Sequence, residues 1–198
     1  MAKRDIIAEV LARRSRQLKR TPRLQQTHRR IINLRNAFSL LRKHGIPLEC
    51  RQELYRYFPI ALTAISEGHM RMLYRDLINS GEPFMSRGAN FKDLRIDCGT
   101  LVATATNRVT VGELIAHQLP HNNLGDIEFN LSQLLDEDFS AKFQKDLVNE
   151  GNLGGHKVFR TYLRQSVVET FKQRHIFCHE LALPYTPSQR QIESSSTI

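Results

Sequence analysis

The residues best suited to chemistry stand near the end of the chain, where RHIFCH separates Arg174 from His179 by four residues. A guanidinium is charged at every physiological pH and steadies charge that gathers on phosphate oxygens. An imidazole near its ordinary pKa both takes and returns protons. Together they suit attack on a phosphodiester, with His179 as acid and base and Arg174 as the cation that stabilises the transition state. The spacing by itself has little specificity, since Arg23 and His28 in RLQQTH repeat it across the break expected between the first two helices. A structural role also fits Arg174 and His179, as an interhelical ion pair and a histidine favoured by the dipole at a helix C-terminus.

The element that must position the pair is the run VFRTYLRQSVVETFKQRHIFCHEL, Val158 to Leu181. Phe159, Tyr162, Leu163, Val167 and Phe171 recur at three- and four-residue steps and predict an amphipathic helix. Arg174 continues that stripe seven residues after Val167, with Thr170, Phe171, Phe177 and Cys178 as its helical neighbours. No acid on its own helix is placed to pair with it, so another element, another chain or a ligand must. His179 is offset from it by roughly 140° around an ideal helix, on the side of Val168 and His175. The two side chains therefore converge only on something that lies across the helix end.

The remaining candidates are weaker. His117 and His121 have a metal-ligand spacing, but Pro120 intervenes and no third ligand is near in sequence, so no metal is expected. His69 reads as a packed histidine. No glycine-rich phosphate loop and no paired catalytic carboxylates stand out, and the acidic second half of residues 110–135 argues against a helix-turn-helix entering a DNA groove. Cys50, Cys98 and Cys178 are distant from one another and form no CxxC, which excludes a disulfide framework and fits a reducing cytoplasm.

Charge is the strongest feature of the composition. The net charge is +9 over 198 residues. Residues 1–51 hold 14 Lys and Arg against 3 Asp and Glu, a surplus of +11 that leaves −2 for the rest. Such a block meets phosphate or remains a solvated surface. Arg13, Arg14, Arg16, Lys19, Arg20, Arg29 and Arg30 are the candidate RNA contacts, and with no aromatic residue before Phe38 they would grip phosphate rather than base. The start MAKRDIIAEVLARRSRQLKR has no apolar signal core, and no apolar run approaches a membrane span.

Helices are expected over residues 4–20, 27–43 and 49–79, the last with a kink or a start near Pro59. Residues 80–99 read as a long connection, LVATAT as a short strand or a helical turn, and Thr110 with Glu113 as a capping box opening a helix to about Gln118. Two short helices divided near Asp136 should fill residues 124–149. GNLGG at 151–155 turns into the last helix, and residues 184–198 form a polar tail. The expectation is a mostly helical protein with a basic N-terminal helix at 1–26 and a helical domain at 27–183.

RHIFCH on a late helix of such a bundle, preceded by VVETFKQ, resembles the HEPN superfamily, whose ribonucleases carry R-X4-6-H there, and in particular its RiboL-PSP-like and related prokaryotic toxin and defence branches. The likeness of sequence covers residues 156–180. Where that family often has Asn after the arginine and Tyr two residues past the histidine, this chain has His175 and Leu181. The resemblance implies an all-α HEPN-like bundle and a homodimer whose cleft receives one Arg and one His from each copy. It implies metal-independent, cofactor-free RNA cleavage giving 2′,3′-cyclic phosphate ends, and a toxin or defence role under an antitoxin or regulatory protein. It assigns Arg174 and His179 as catalytic and His175 as supporting. The alternatives are a non-catalytic RNA-binding or adaptor bundle and the helical partner of a nucleotidyltransferase.

Overall fold

In the computed structural model, residues 5–16, 23–43, 45–92, 94–143 and 157–179 are described. The fold is all-α, and among these residues there is no strand. The helices are α1 (Ile6–Arg16), α2 (Arg23–Lys43), α3 (Leu48–Asn79), α4 (Phe84–Gly88), α5 (Cys98–Ala105), α6 (Val111–Gln118), α7 (Leu124–Leu135), α8 at 139–143 and α9 (Lys157–His179). No described helix is long and apolar enough to cross a membrane. The three cysteines are exposed and free. The turn at 151–155 and the tail at 184–198 lie outside the described residues.

The chain forms two compact units that interleave along the sequence. The first comprises Met1–Thr21, His69–His121 and Gly125–Lys142. In it α1 packs on α5 and α6, so the basic N-terminal helix is built into a core rather than standing apart. Val10 is buried with Ala103, Val109 and Leu114, and Ile6, Ile7 and Leu11 close over them. That is the i, i+3, i+4 pattern of an amphipathic helix meeting its apolar partner. Tyr74, Ile78 and Leu134 are fully buried in the same unit, and burial pushes the Tyr74 phenol's pKa up.

Local chemistry sets the helix boundaries here. The Thr110 side chain accepts from the Glu113 N–H while Glu113 Oε2 accepts from the Thr110 N–H, a complete capping box. Asn79 ties this start to the end of α3: its Oδ1 accepts from the Gly112 N–H at 3.0 Å and its Nδ2 donates to Thr110 Oγ1 at 3.0 Å. A Cβ on Gly112 would stand 2.5 Å from the Arg75 carbonyl, so the approach needs glycine. The expected loop at 80–99 contains α4, which follows Pro83 and ends on the buried Gly88 against Ile78 and Ile115. Arg87 donates from there to the Leu134 and Leu135 carbonyls at 3.2 and 3.0 Å, satisfying the open end of α7. Asp136, at φ 57°, breaks the chain between α7 and α8 as expected. LVATA of LVATAT belongs to α5, whose N-cap Asp97 accepts from the Thr100 N–H and whose C-cap is Thr106.

The second unit comprises Pro22–Gly68, Asn122–Leu124 and Phe143–Ile198. Phe38 of α2 and Phe58 of α3 are buried edge-on at 4.9 Å, with Tyr55 at 5.2 Å from Phe38 and with Leu34 and Leu41 packed around them. This aromatic cluster sits beside Pro59 and favours continuation of α3 through the proline. A proline in a helix interior costs about 3 kcal/mol. Edge-to-face rings and buried apolar area offset it.

Candidate active site

α9 presents Arg174, His175 and His179 on its last two turns. Its most buried face is Ser166, Thr170, Phe171 and Gln173, while Tyr162 is 47% exposed and Val167 is half-buried. Of the stripe expected through Tyr162, Leu163, Val167, Phe171 and Arg174, Phe171 lies in the packed face, and Leu163, Val167 and Arg174 form its half-buried edge. The side chain of Phe159 lies outside the described residues. Polar groups occupy the centre of the contact: Thr170 donates to the Ser166 carbonyl at 2.8 Å, and Gln173 donates weakly to Glu169 at 3.4 Å.

Arg174 is half-buried, and its Nη2 lies 3.7 Å from Glu67 Oε1 on α3. The counter-charge missing from α9 therefore comes from another helix of the same unit. That distance is too long for a hydrogen bond, and Glu67 Oε1 has no hydrogen-bond partner among the described residues. Thr63, one turn before Glu67 on α3, is also buried with an unbonded hydroxyl, as is the Gln173 Oε1. Arg174 is consequently held by charge rather than clamped by a bidentate pair, which leaves its donors available.

His175 and His179 are exposed, with ring centroids 5.0 Å apart and planes inclined at 50°. The one-turn spacing brings the two imidazoles together, as sequence predicts for positions i and i+4. Arg174, one residue before His175, points toward α3. The described residues thus assemble two pairs, Arg174 with Glu67 and His175 with His179, joined by adjacency on one helix end.

The N-terminal basic candidates divide. Arg29 and Arg30 are exposed on α2. Arg13 turns inward in the first unit, and its Nη1 donates to His117 Nδ1 at 3.0 Å. The side chains of Arg14 and Arg16, and all of Lys19 and Arg20, lie outside the described residues.

The pair His117 and His121, spaced like metal ligands, is also resolved. With Nδ1 accepting from Arg13, the His117 proton sits on Nε2, 2.9 Å from Glu9 Oε2. His121 Nε2 accepts from Arg71. Both rings are buried, and each spends a nitrogen lone pair on a guanidinium, which opposes metal ligation. Among the described residues no group of three or more His, Cys, Asp or Glu is placed to hold a metal ion. A cleft of about 1010 Å³ in this unit is bordered by Asp5, Asp97 and His117. Asp5 and Asp97 are occupied as helix caps, accepting from the amides of Ala8 and Thr100, and the His117 nitrogens face Glu9 and Arg13. Among the described residues, the carboxylates and the imidazole that border the cleft are therefore already engaged.

Sequence reasoning missed Glu67, Glu9 and Arg71. Arg13 and His117 are 104 residues apart, and no local pattern announces such a pair. Comparison with protein-family models, with curated proteins and with solved structures returns no match. The fold and these contacts define the class: an all-α protein with an Arg-His-His set at the end of its last described helix.

Proposed function

We propose that the chain is a metal-independent endoribonuclease of the HEPN kind, acting as a homodimeric toxin or defence effector. The observation that carries the reading is the end of α9, where two exposed imidazoles adjoin an arginine held only loosely by Glu67. A phosphodiester laid across that end meets a proton carrier and a cation with open donors. His179 takes the 2′-hydroxyl proton and later protonates the departing 5′-oxygen, work that typically contributes about 10²- to 10⁴-fold. Arg174 stabilises the charge gathering on the non-bridging oxygens. His175, tilted against His179 with ring centroids 5.0 Å apart, supports its orientation.

In this reading the 2′-hydroxyl is the nucleophile, which selects RNA over DNA and leaves 2′,3′-cyclic phosphate and 5′-hydroxyl ends. A second copy, with its own Arg and His, would complete the cleft. The test is end-group analysis of RNA incubated with the purified protein in EDTA. The expected result is cyclic phosphate ends with undiminished rate. Products with 3′-hydroxyl ends, or cleavage abolished by the chelator, contradict the mechanism. Intact RNA bound tightly after long incubation favours the non-catalytic RNA-binding bundle instead.

A further inference from the structure

No acidic residue occurs between Glu9 and Glu49, and α2 crosses that interval with none in its 21 residues. Its inner stripe is settled by packing: Leu34, Phe38 and Leu41 enter the aromatic cluster of the second unit. At 100° per residue Arg29 stands opposite that stripe, Arg30 on one flank, and Arg35 with Arg42 on the other. Arg29, Arg30 and Arg35 are exposed, and among the described residues none of them has a hydrogen-bond or ion-pair partner. Asn33 and Asn36, also exposed, lie between the flanks and add neutral donors. A helix held only to stabilise itself would gain from acids spaced three or four residues from these arginines. Here there are none, and the repulsion among the guanidinium groups is left for a polyanion to relieve.

We infer that the outer face of α2 is a docking track for the sugar-phosphate chain of single-stranded RNA, gripped from both flanks by Arg29, Arg30 and Arg35. The identity of the polyanion as RNA rests on the function proposed above; the track itself rests on charge complementarity. α2 exposes no Phe, Tyr or Trp to stack a base, so the track grips phosphate rather than reading sequence. Its role is to hold substrate while the end of α9 selects the bond.

The test measures binding of a labelled single-stranded RNA by fluorescence anisotropy across a salt series, in a His179→Ala background so that the RNA stays intact. The comparison is with the same protein carrying R29Q, R30Q and R35Q, and with R108Q as an exposed control from the other unit. Each phosphate contact contributes about 0.7 to the slope of log K against log salt for a single strand. The triple variant should flatten the slope by about 2 and weaken binding at least about tenfold at low salt, with circular dichroism and thermal midpoint unchanged, while R108Q behaves like its parent. An unchanged slope and affinity in the triple variant overturn the proposal. So does loss of binding to anionic lipid vesicles with RNA binding intact, which would assign the face to a membrane. Because binding is read without cleavage, a protein that binds RNA through α2 yet never cuts it sinks only the nuclease reading.

Discussion

Acidification should loosen the first unit through one side chain, His121. The ring is 4% exposed, and its Nε2 accepts from Arg71. Burial, then the charges of Arg71 and Arg13, push its pKa down to about 4, against partial opposition from the Leu119 carbonyl and Asp126. The folded protein therefore keeps His121 neutral over a range in which the unfolded chain, titrating near 6.5, takes up a proton. Stability is unaffected by this group above pH 6.5 and falls as the pH drops from there toward 4. Linkage between these two values removes about 2.5 kcal/mol by pH 4.5. The assay is native-state hydrogen exchange of the α6 amides, Val111 to Gln118, at pH 7.5 and 4.5, corrected for intrinsic rates. His121→Gln is the comparison, because its amide oxygen can still accept from Arg71 and it does not titrate. The wild type should lose about 2.5 kcal/mol more opening free energy than the variant between the two pH values. Equal losses, within about 0.5 kcal/mol, would refute a buried neutral imidazole locked to Arg71.

Two further substitutions probe the packing and the site. Gly112→Ala places a methyl group 2.5 Å from the Arg75 carbonyl, so α6 must shift off α3; a loss of about 1–3 kcal/mol in urea unfolding is expected, and an unchanged midpoint would show that the approach is not tight. Glu67→Gln removes the charge partner that Arg174 has among the described residues while keeping size and polarity. A loose, partly exposed pair is worth about 1 kcal/mol at most, so RNA cleavage should fall by about fivefold or less with RNA affinity retained; a complete loss would mean that Glu67 itself takes part in proton transfer.

What could be read from the chain was what is encoded locally. The Thr110 and Glu113 box, the stop before Pro120 and the break at Asp136 each depend on residues within one turn, and they stand where expected. The extent of α3 was legible, but whether it would kink or start at Pro59 was not, because the packing of Phe58 on Phe38 that offsets the proline comes from another helix. α4 was hidden in a stretch with glycines because its stability comes from Gly88 sitting on Ile78 and Ile115. At the site, the His175 and His179 pairing follows from helical periodicity alone. Glu67 does not, since it reaches Arg174 across more than half the chain. Arg13 carried the same charge signal as Arg29, and only tertiary contact separates the arginine that binds His117 from the one left in solvent.

The most direct test of the account is RNA cleavage by purified wild type beside Arg174→Ala and His179→Ala. Both side chains are at least partly exposed at the end of α9, so the variants should fold with an unchanged circular dichroism spectrum and the same mass in solution. Each substitution should lower the cleavage rate by about 10²-fold or more. Cleavage at the wild-type rate by either variant would contradict the assignment of Arg174 and His179.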